Sequence, residues 1–376
     1  MLTHATIVPY LLARNLLSTR TIVEDDLSVA EVSRRNVNYK VSNAPGPPYF
    51  VKQGMDRGRA ATVDREAAVY DLVHARGARG ARGPGRGFQR YLPRTYGHDP
   101  AEHVLVLEFY EDAEDLQQYH YRLGRFPVRV AAWLGEALGR LHREYDIANV
   151  REVAQFTSPY WPPPVFTLHR PQHHSYGGFS TANLQLIRII QHFPEFSGLL
   201  EQLRDDWLPQ TLIHGDAKWS NCLVLRPPRA ENDRLKILDW EFAALGDPCW
   251  DAGTILAEYL SFWLLSVPIA GDEQPGQYLH LARYPLAKMQ PAIRAFWRAY
   301  SHQMHLDMAS SSAHLLKSVR YAAARLVLTA FEQMQTASQI SGTAIYFLQL
   351  GFNILQRPAE AATQLLGMRL EQASAE

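Results

Sequence analysis

The spacing of apolar positions changes character partway along the chain. Before about residue 110 they fall in short β-prone runs, Tyr39 to Val41, Tyr49 to Val51 and Val104 to Phe109. Turn formers (Asn43-Ala44-Pro45-Gly46-Pro47-Pro48) separate the first two runs, and one stretch of helical spacing, Val63 to Val73, lies before the third. From Arg129 onward the period becomes that of a helix: Ala131, Leu134, Leu138 and Leu141 share a face, as do Leu316, Val319, Ala323, Leu326 and Ala330. No self-similarity at the roughly 20–50 residue period of solenoids is present. The pattern predicts an α+β chain with a small β-rich lobe over residues 1–110 and a larger helical lobe over residues 111–376.

The stretch Ala75 to Arg90, ARGARGARGPGRGFQR, interrupts this pattern with five arginines, no acid and many glycines. Such a composition buries too little to fold by itself and reads as a mobile solvated loop, with a clamp for an acidic partner or nucleic acid as the functional alternative.

Composition narrows the function classes. The chain has 376 residues, 47% hydrophobic and 20% charged, so it can bury a sizeable core. Its 38 basic and 38 acidic side chains cancel, which argues against nucleic acid or an anionic membrane as partner. Cys222 and Cys249 have no disulfide or zinc spacing. The longest apolar stretch, Tyr259 to Ala270, contains Pro268 and is too short to span a bilayer, and the N-terminus lacks a signal-peptide pattern. A reducing, cytoplasmic setting is expected.

Chemistry concentrates in HGDAKWSN, positions 214–221, between the extended runs Leu212-Ile213 and Cys222 to Leu225. A further strand, Leu235 to Leu238, follows the turn-like Glu231-Asn232-Asp233 and delivers Asp239-Trp240-Glu241. Paired as a hairpin, the two strands flanking that turn bring Asn221 and Asp239 together. Their oxygens make a hard-ligand site suited to magnesium, leaving Asp216 to accept a proton from an attacking hydroxyl.

His214-Gly215-Asp216, Asn221 and Asp239-Trp240-Glu241 resemble the catalytic and metal-binding loops of the kinase-like phosphotransferases, the aminoglycoside phosphotransferase and choline kinase family. The resemblance runs from about Ser33 to Gly253 and is most specific between Leu212 and Gly253. It implies a bilobal protein-kinase-like fold that transfers the γ-phosphoryl of ATP, with Mg2+, to a hydroxyl acceptor. In its terms Asp216 and Lys218 are catalytic, and Asn221, Asp239 and Glu241 hold the metal. Lys52, at the end of Tyr49-Phe50-Val51, touches the nucleotide phosphates and is positioned by Glu66. Adenine lies against the segment around Glu108 and Tyr110. The family's glycine-rich phosphate loop is absent; Ser33 to Val41 stands in its place, with Ser33 and Asn36 as turn formers exposing N–H groups and Arg34 or Arg35 supplying charge. Lys218 stands where aminoglycoside-modifying relatives commonly have histidine and protein kinases have lysine. Asp251 resembles the aspartate that braces the catalytic loop, with a helix N-cap as the structural alternative.

Rival readings are weaker. Gly178 to Ala182, GFSTA, comes near a hydrolase nucleophile elbow with His173 and His174 before it, but no strand precedes it, and Ser180 or Thr181 as a helix cap accounts for it better. A nucleotide-binding module without turnover is disfavoured because Lys52, Glu66, Asp216, Asn221 and Asp239 are all present. Residues from Ile255 onward hold eight acidic and nine basic side chains, which suits a polycationic aminoglycoside poorly. A Ser/Thr-bearing natural-product precursor peptide is the acceptor expected first, read from the aromatic, proline-rich Phe156 to Phe166 and from a fainter resemblance of HGDAKWSNCLV to kinase-like proteins of ribosomal-peptide pathways. A choline-like, sugar or amino alcohol is the alternative.

Overall fold

Alternation along one strand decides which face Lys52 occupies. In the sequence YFVKQ, Tyr49 and Val51 share a side with Tyr39, Val41, Val104 and Val106, while Phe50 and Lys52 point the other way. The computed structural model describes residues 1–23, 27–33, 36–44, 46–80, 87–157, 161–171, 178–226, 234–268 and 281–370, and realises this as a five-stranded antiparallel sheet. Its strands are β1 (Leu27–Glu31), β2 (Val37–Asn43), β3 (Tyr49–Gln53), β4 (Thr95–Asp99) and β5 (Val104–Glu108), in spatial order β1-β2-β3-β5-β4. Tyr39, Val51 and Val106 stand in register across three strands. They pack with Leu2, Ile7, Leu11 and Leu17, contributed by the segment that carries helix α1 (Ile7–Ala13) and leads to α2 (Thr19–Val23). Helix α3 (Arg57–Gly80) meets β3 and β5.

The α+β architecture is the one expected, and the structure extends two of its elements. Helix α3 exceeds the expected Val63–Val73 at both ends, so residues 75–80 are helical rather than looped. Arginine and alanine are strong helix formers, and propagating an existing helix is far cheaper than nucleating one. Residues 87–90 of the expected loop also belong to ordered structure: Phe88–Tyr91 form a 3-10 turn with Phe88 and Tyr91 buried. Residues 81–86 lie outside the described residues.

By backbone contacts the chain divides into two compact units, Met1–Tyr119 with Ser220–Ala243, and His120–Trp219 with Ala244–Glu376. Besides the sheet, the first holds the small antiparallel sheet of β6 (Ala113–Asp115), β8 (Cys222–Leu225) and β9 (Leu235–Ile237). The second pairs β7 (Thr211–Ile213) with β10 (Ala244–Gly246), Ile213 facing Ala244. Helix α4 (Leu116–Leu123) carries the chain from one unit to the other. The helices of the second unit are α5 (Val128–Glu144), α6 (Thr181–His192), α7 (Pro194–Asp205), α8 (Pro248–Leu265), α9 (Leu286–Gln303), α10 (Met308–Gln333), α11 (Gly342–Gln356) and α12 (Pro358–Gln364). Both helical stripes expected from periodicity are present, in α5 and α10.

Close packing of α8 on α10 has a local cause. A Cβ at Gly253 would stand 2.6 Å from the Ser318 carbonyl oxygen, so only glycine lets the two backbones approach this closely. Among the described residues no helix is long and apolar enough to cross a membrane.

Candidate active site

The candidate residues fall into two groups, one in each unit. In the first unit, α3 presents Val63, Glu66, Ala67, Tyr70 and Val73 on one buried stripe, so Glu66 is a carboxylate set into an apolar helix face. It is 1% exposed. Its oxygens are satisfied by the Lys52 ammonium at 2.7 Å and by the Tyr70 hydroxyl, which donates at 3.1 Å from one turn further on. Lys52, on the outward side of β3's alternation, also pairs with the Asp239 carboxylate. Burial alone would lower the lysine's pKa, but the carboxylates of Glu66, Asp239 and Glu241 outweigh it and hold the ammonium firmly charged.

The expected hairpin forms. Strands β8 and β9 pair antiparallel with Cys222 opposite Ile237, and Leu238 N–H donates to the Asn221 carbonyl at 2.9 Å. Asn221 and Asp239 therefore sit at the same end of the hairpin. Asp239 adopts a left-handed backbone, φ 66°, a conformation that costs a non-glycine residue about 1–3 kcal/mol and clusters at functional sites. Its side chain is 38% exposed despite the lysine pair. Glu241, two residues on, is buried and accepts from Asn36 Nδ2 at 3.4 Å and the Thr62 hydroxyl at 3.3 Å. Asn36 thus reaches the metal-motif glutamate. Ser33 does not: its hydroxyl donates to Glu31 at 2.8 Å and accepts from Asn38 N–H at 3.2 Å, as in an ordinary turn. Arg34, Arg35 and the turn at 231–233 lie outside the described residues. Glu108 ends β5, and the buried Tyr110 donates its hydroxyl to the Glu108 carboxylate at 3.0 Å.

Nucleotide and magnesium would be held by the first group, and the donor set fits. Among the described residues no cage of three or more His, Cys, Asp or Glu side chains exists. Magnesium bound with a nucleotide needs no such cage, because phosphates and waters complete a shell begun by one or two protein oxygens.

In the second unit, strand β7 leads directly into His214-Gly215-Asp216. The Asp251 carboxylate, from the first turn of α8, accepts His214 N–H at 2.7 Å and Gly215 N–H at 2.9 Å. Asp251 is therefore the loop brace; the N-cap of α8 is Asp247, whose carboxylate accepts Cys249 N–H. His142 Nε2 stands 3.1 Å from Asp251, and its Nδ1 3.0 Å from the Tyr300 hydroxyl. Donation from Nε2 to the carboxylate leaves Nδ1 to accept from the tyrosine. Gly215 has φ +82°, which only glycine adopts without strain, and its carbonyl accepts from the Trp250 indole at 3.0 Å.

This bracing delivers Asp216, 9% exposed, between two cations. Lys218 Nζ lies 2.6 Å from Oδ2, and Arg325 from α10 approaches Oδ1 at 3.4 Å. Burial pushes the Asp216 carboxyl upward, but Arg325, Lys218 and His214 together lower it, so it stays ionised. Arg325 is itself held by Glu332 through two contacts of 3.1 and 3.2 Å. Glu258 of α8, its pKa raised by burial, accepts Trp219 N–H at 2.9 Å. Arg325, Glu332 and Glu258 were not expected from sequence. The available signal was a single charge in an apolar run, Arg325 in YAAARLVLTAF and Glu258 in TILAEYLSFWLL.

The hydrolase alternative finds no support in the local structure. Ser180 caps α6, accepting Asn183 N–H at 2.9 Å, and donates to the Met334 carbonyl; His173 and His174 lie outside the described residues.

This fold is the protein-kinase-like one, a small β-rich lobe and a larger helical lobe. The model of the phosphotransferase enzyme family matches residues 27–332, and the chain belongs to that family. It is therefore a phosphotransferase, a kinase that works on an alcohol group. Among solved structures the chain is similar to a choline kinase from Cryptosporidium parvum Iowa II, with TM-score 0.51 and 15% identity over 96% of this chain and 97% of that one. It is similarly close to a glucosamine kinase solved with glucosamine, ADP and inorganic phosphate, with TM-score 0.51 and 15% identity over 90% of this chain and 83% of that one. At these identities the likeness is one of fold. No curated protein matches the chain significantly in sequence.

Proposed function

We propose that the protein transfers the γ-phosphoryl of magnesium-ATP to the hydroxyl of a small organic acceptor. The observation that carries this reading is the state of Asp216. It is buried, kept ionised by two cations, and set on a loop whose N–H groups are fixed by Asp251. A carboxylate so held can orient a hydroxyl and take its proton as the phosphoryl leaves the nucleotide.

Lys52, oriented by Glu66, contacts the α and β phosphates, and Ser33 and Asn36 belong to the segment over them. Backbone groups between Glu108 and Tyr110 take the adenine. Asn221, Asp239 and Glu241 hold the metal ion, which when bound neutralises phosphate charge. Lys218 stabilises the transferring group. On this assignment residues 1–110 together with the hairpin residues Asn221, Asp239 and Glu241 serve the nucleotide, the rest of residues 111–376 serves catalysis and the acceptor, and an ATP donor suits a cytoplasmic enzyme.

A small neutral alcohol is favoured over a polycation because the carboxylates beside Asp216 are engaged: Glu332 by Arg325, and Glu258 by Trp219 N–H. The segment expected to recognise a peptide gives that acceptor little support. Phe156, Val165 and Phe166 are buried and Trp161 stacks on Trp207 at 5.6 Å, so these side chains fill the interior.

The test is ATP consumption against a panel of sugars, amino alcohols, choline-like compounds, aminoglycosides and Ser/Thr peptides, with products weighed by mass spectrometry. A phosphate adduct on a small alcohol is expected. An adduct on a peptide alone overturns the acceptor class, and no adduct with any hydroxyl compound overturns the reading.

A further inference from the structure

Arg325 has no place in the motif that defines the site, yet its buried guanidinium touches the catalytic carboxylate. Its position follows from packing: the close approach of α8 and α10 at Gly253 carries the middle of α10 toward the catalytic loop. Seven residues further along the same helix, Glu332 grips the guanidinium with both oxygens. The side chain of Arg325 is 6% exposed and that of Glu332 43%. The guanidinium is thus fixed from its outer side, with NH2 directed at Asp216 Oδ1. Lys218 is the opposite case, a flexible chain with a 37% exposed side chain on the other carboxylate oxygen.

We propose that Arg325, anchored by Glu332, is a positioning residue that keeps Asp216 ionised and oriented when Lys218 turns to the transferring phosphoryl group. This rests on the phosphotransferase reading of the site. As Lys218 turns its ammonium to the moving phosphoryl group, its single charge is shared and its hold on Asp216 Oδ2 is weakened or lost. Once it leaves, a buried Asp216 with no other cation would take up a proton and lose its capacity as a base. Arg325 prevents this because its charge is permanent and its fork is already immobilised by Glu332. The charged groups facing Asp216 are Lys218 and His214 on its own loop, Arg325 and Glu332 on α10, and Glu258 on α8. Of these Arg325, Lys218 and His214 oppose its protonation, against its burial.

The test uses the full chain and water as acceptor. Basal magnesium-ATP hydrolysis is followed from pH 5 to 9 in the wild type, R325M, R325K and E332Q, with melting temperatures recorded for each. For R325M the expected result is a fall in kcat of about tenfold or more. Its nucleotide KM stays within about twofold, and an acid limb appears where the wild type is flat. R325K restores the flat profile, because it returns the charge, but not the full kcat. A folded R325M with wild-type kcat and a flat profile overturns the proposal. If R325M does not fold, E332Q, altered at an exposed carboxylate, reads the anchoring: lowered kcat at unchanged nucleotide KM is expected, and unchanged kcat overturns it. If the wild type hydrolyses no ATP, water is not an acceptor for this site, the phosphotransferase reading stands or falls on the acceptor panel, and Arg325 is judged by titration. Carboxyl 13C NMR, with the Asp216 signal assigned by its loss in D216N, then follows the titration in wild type and E332Q, and in R325M where it folds. Titration at a higher pH than in the wild type, in R325M or, where that variant does not fold, in E332Q, supports the proposal, and coincident or lower curves overturn it.

Discussion

In the proposed nucleotide half-site Lys52 joins two acids, Glu66 buried and Asp239 partly exposed. Removing it leaves Glu66 in an apolar helix face with only the Tyr70 hydroxyl, and breaking a buried ion pair in this way costs about 3–5 kcal/mol. K52A should therefore lower both stability and kcat/KM for ATP, and E66A should reproduce part of the catalytic loss. The double variant should fall short of the sum of the singles by more than about 0.5 kcal/mol, because each group orients the other. Strict additivity in a double-mutant cycle would refute a coupled pair. Asp239 makes a different prediction. Its carboxylate is exposed enough to meet a ligand, and it sits on a left-handed backbone. D239N should weaken ATP binding only when magnesium is present; calorimetry showing equal loss in chelator would place the metal elsewhere. Asp216, Asn221 and Asp239 were legible in the sequence from motif spacing, and Lys52 and Glu66 from the resemblance which that motif carries. Arg325 stands as a single charge in an apolar run, but its relation to Asp216 depends on where α10 lands, which no local pattern encodes.

At the scale of elements, the loop after β7 and the start of α8 form one device. Two aspartates of α8 have separate tasks. Asp247 caps the helix, accepts from Leu208 N–H and Tyr321, and pairs with Lys317. Asp251 accepts two loop N–H groups. D247A should lower the melting temperature while leaving kcat near wild type at low temperature. D251A should lose both, since each orphaned buried N–H costs about 1–3 kcal/mol and the loop carrying Asp216 is released. Equal kcat in the two variants would contradict this division. Helix α4 carries a further prediction. Burial among Phe126, Trp219 and Phe262 lowers the His120 pKa to about 3. Unfolded, the same ring titrates near about 6.5. Its contribution to stability is thus complete above about pH 6.5 and is lost progressively as the pH falls toward about 3, by up to about 1.4 kcal/mol per unit. H120F should flatten denaturant-measured stability between pH 7.5 and 5.5, and parallel curves for the two proteins would contradict the assignment. Among elements, β2, β3 and β5 were readable because β-branched and aromatic residues are concentrated in short runs there. Strands β1 (LSVAE) and β4 (TYGHD) were not, being edge strands with few apolar residues, although Leu27, Val29 and Tyr96 pack against the core. The end of α3 was misread because composition argued against folding at a point where an established helix continues.

For the whole molecule, family membership and the braced catalytic loop lead to one claim: Asp216 serves the acceptor hydroxyl, and the nucleotide is bound by other residues. Ligand binding stabilises a fold by mass action, about 2.7 kcal/mol at a hundredfold excess over Kd, so magnesium-ATP should raise the melting temperature of wild type and D216N alike. The most direct measurement pairs calorimetry with 31P NMR of ATP turnover on wild type and D216N under one set of conditions. The account predicts that D216N binds magnesium-ATP within about threefold of wild type while turning it over at about a hundredth of the rate or less. Retention of more than about a tenth of the turnover, or loss of nucleotide binding together with activity, would contradict it.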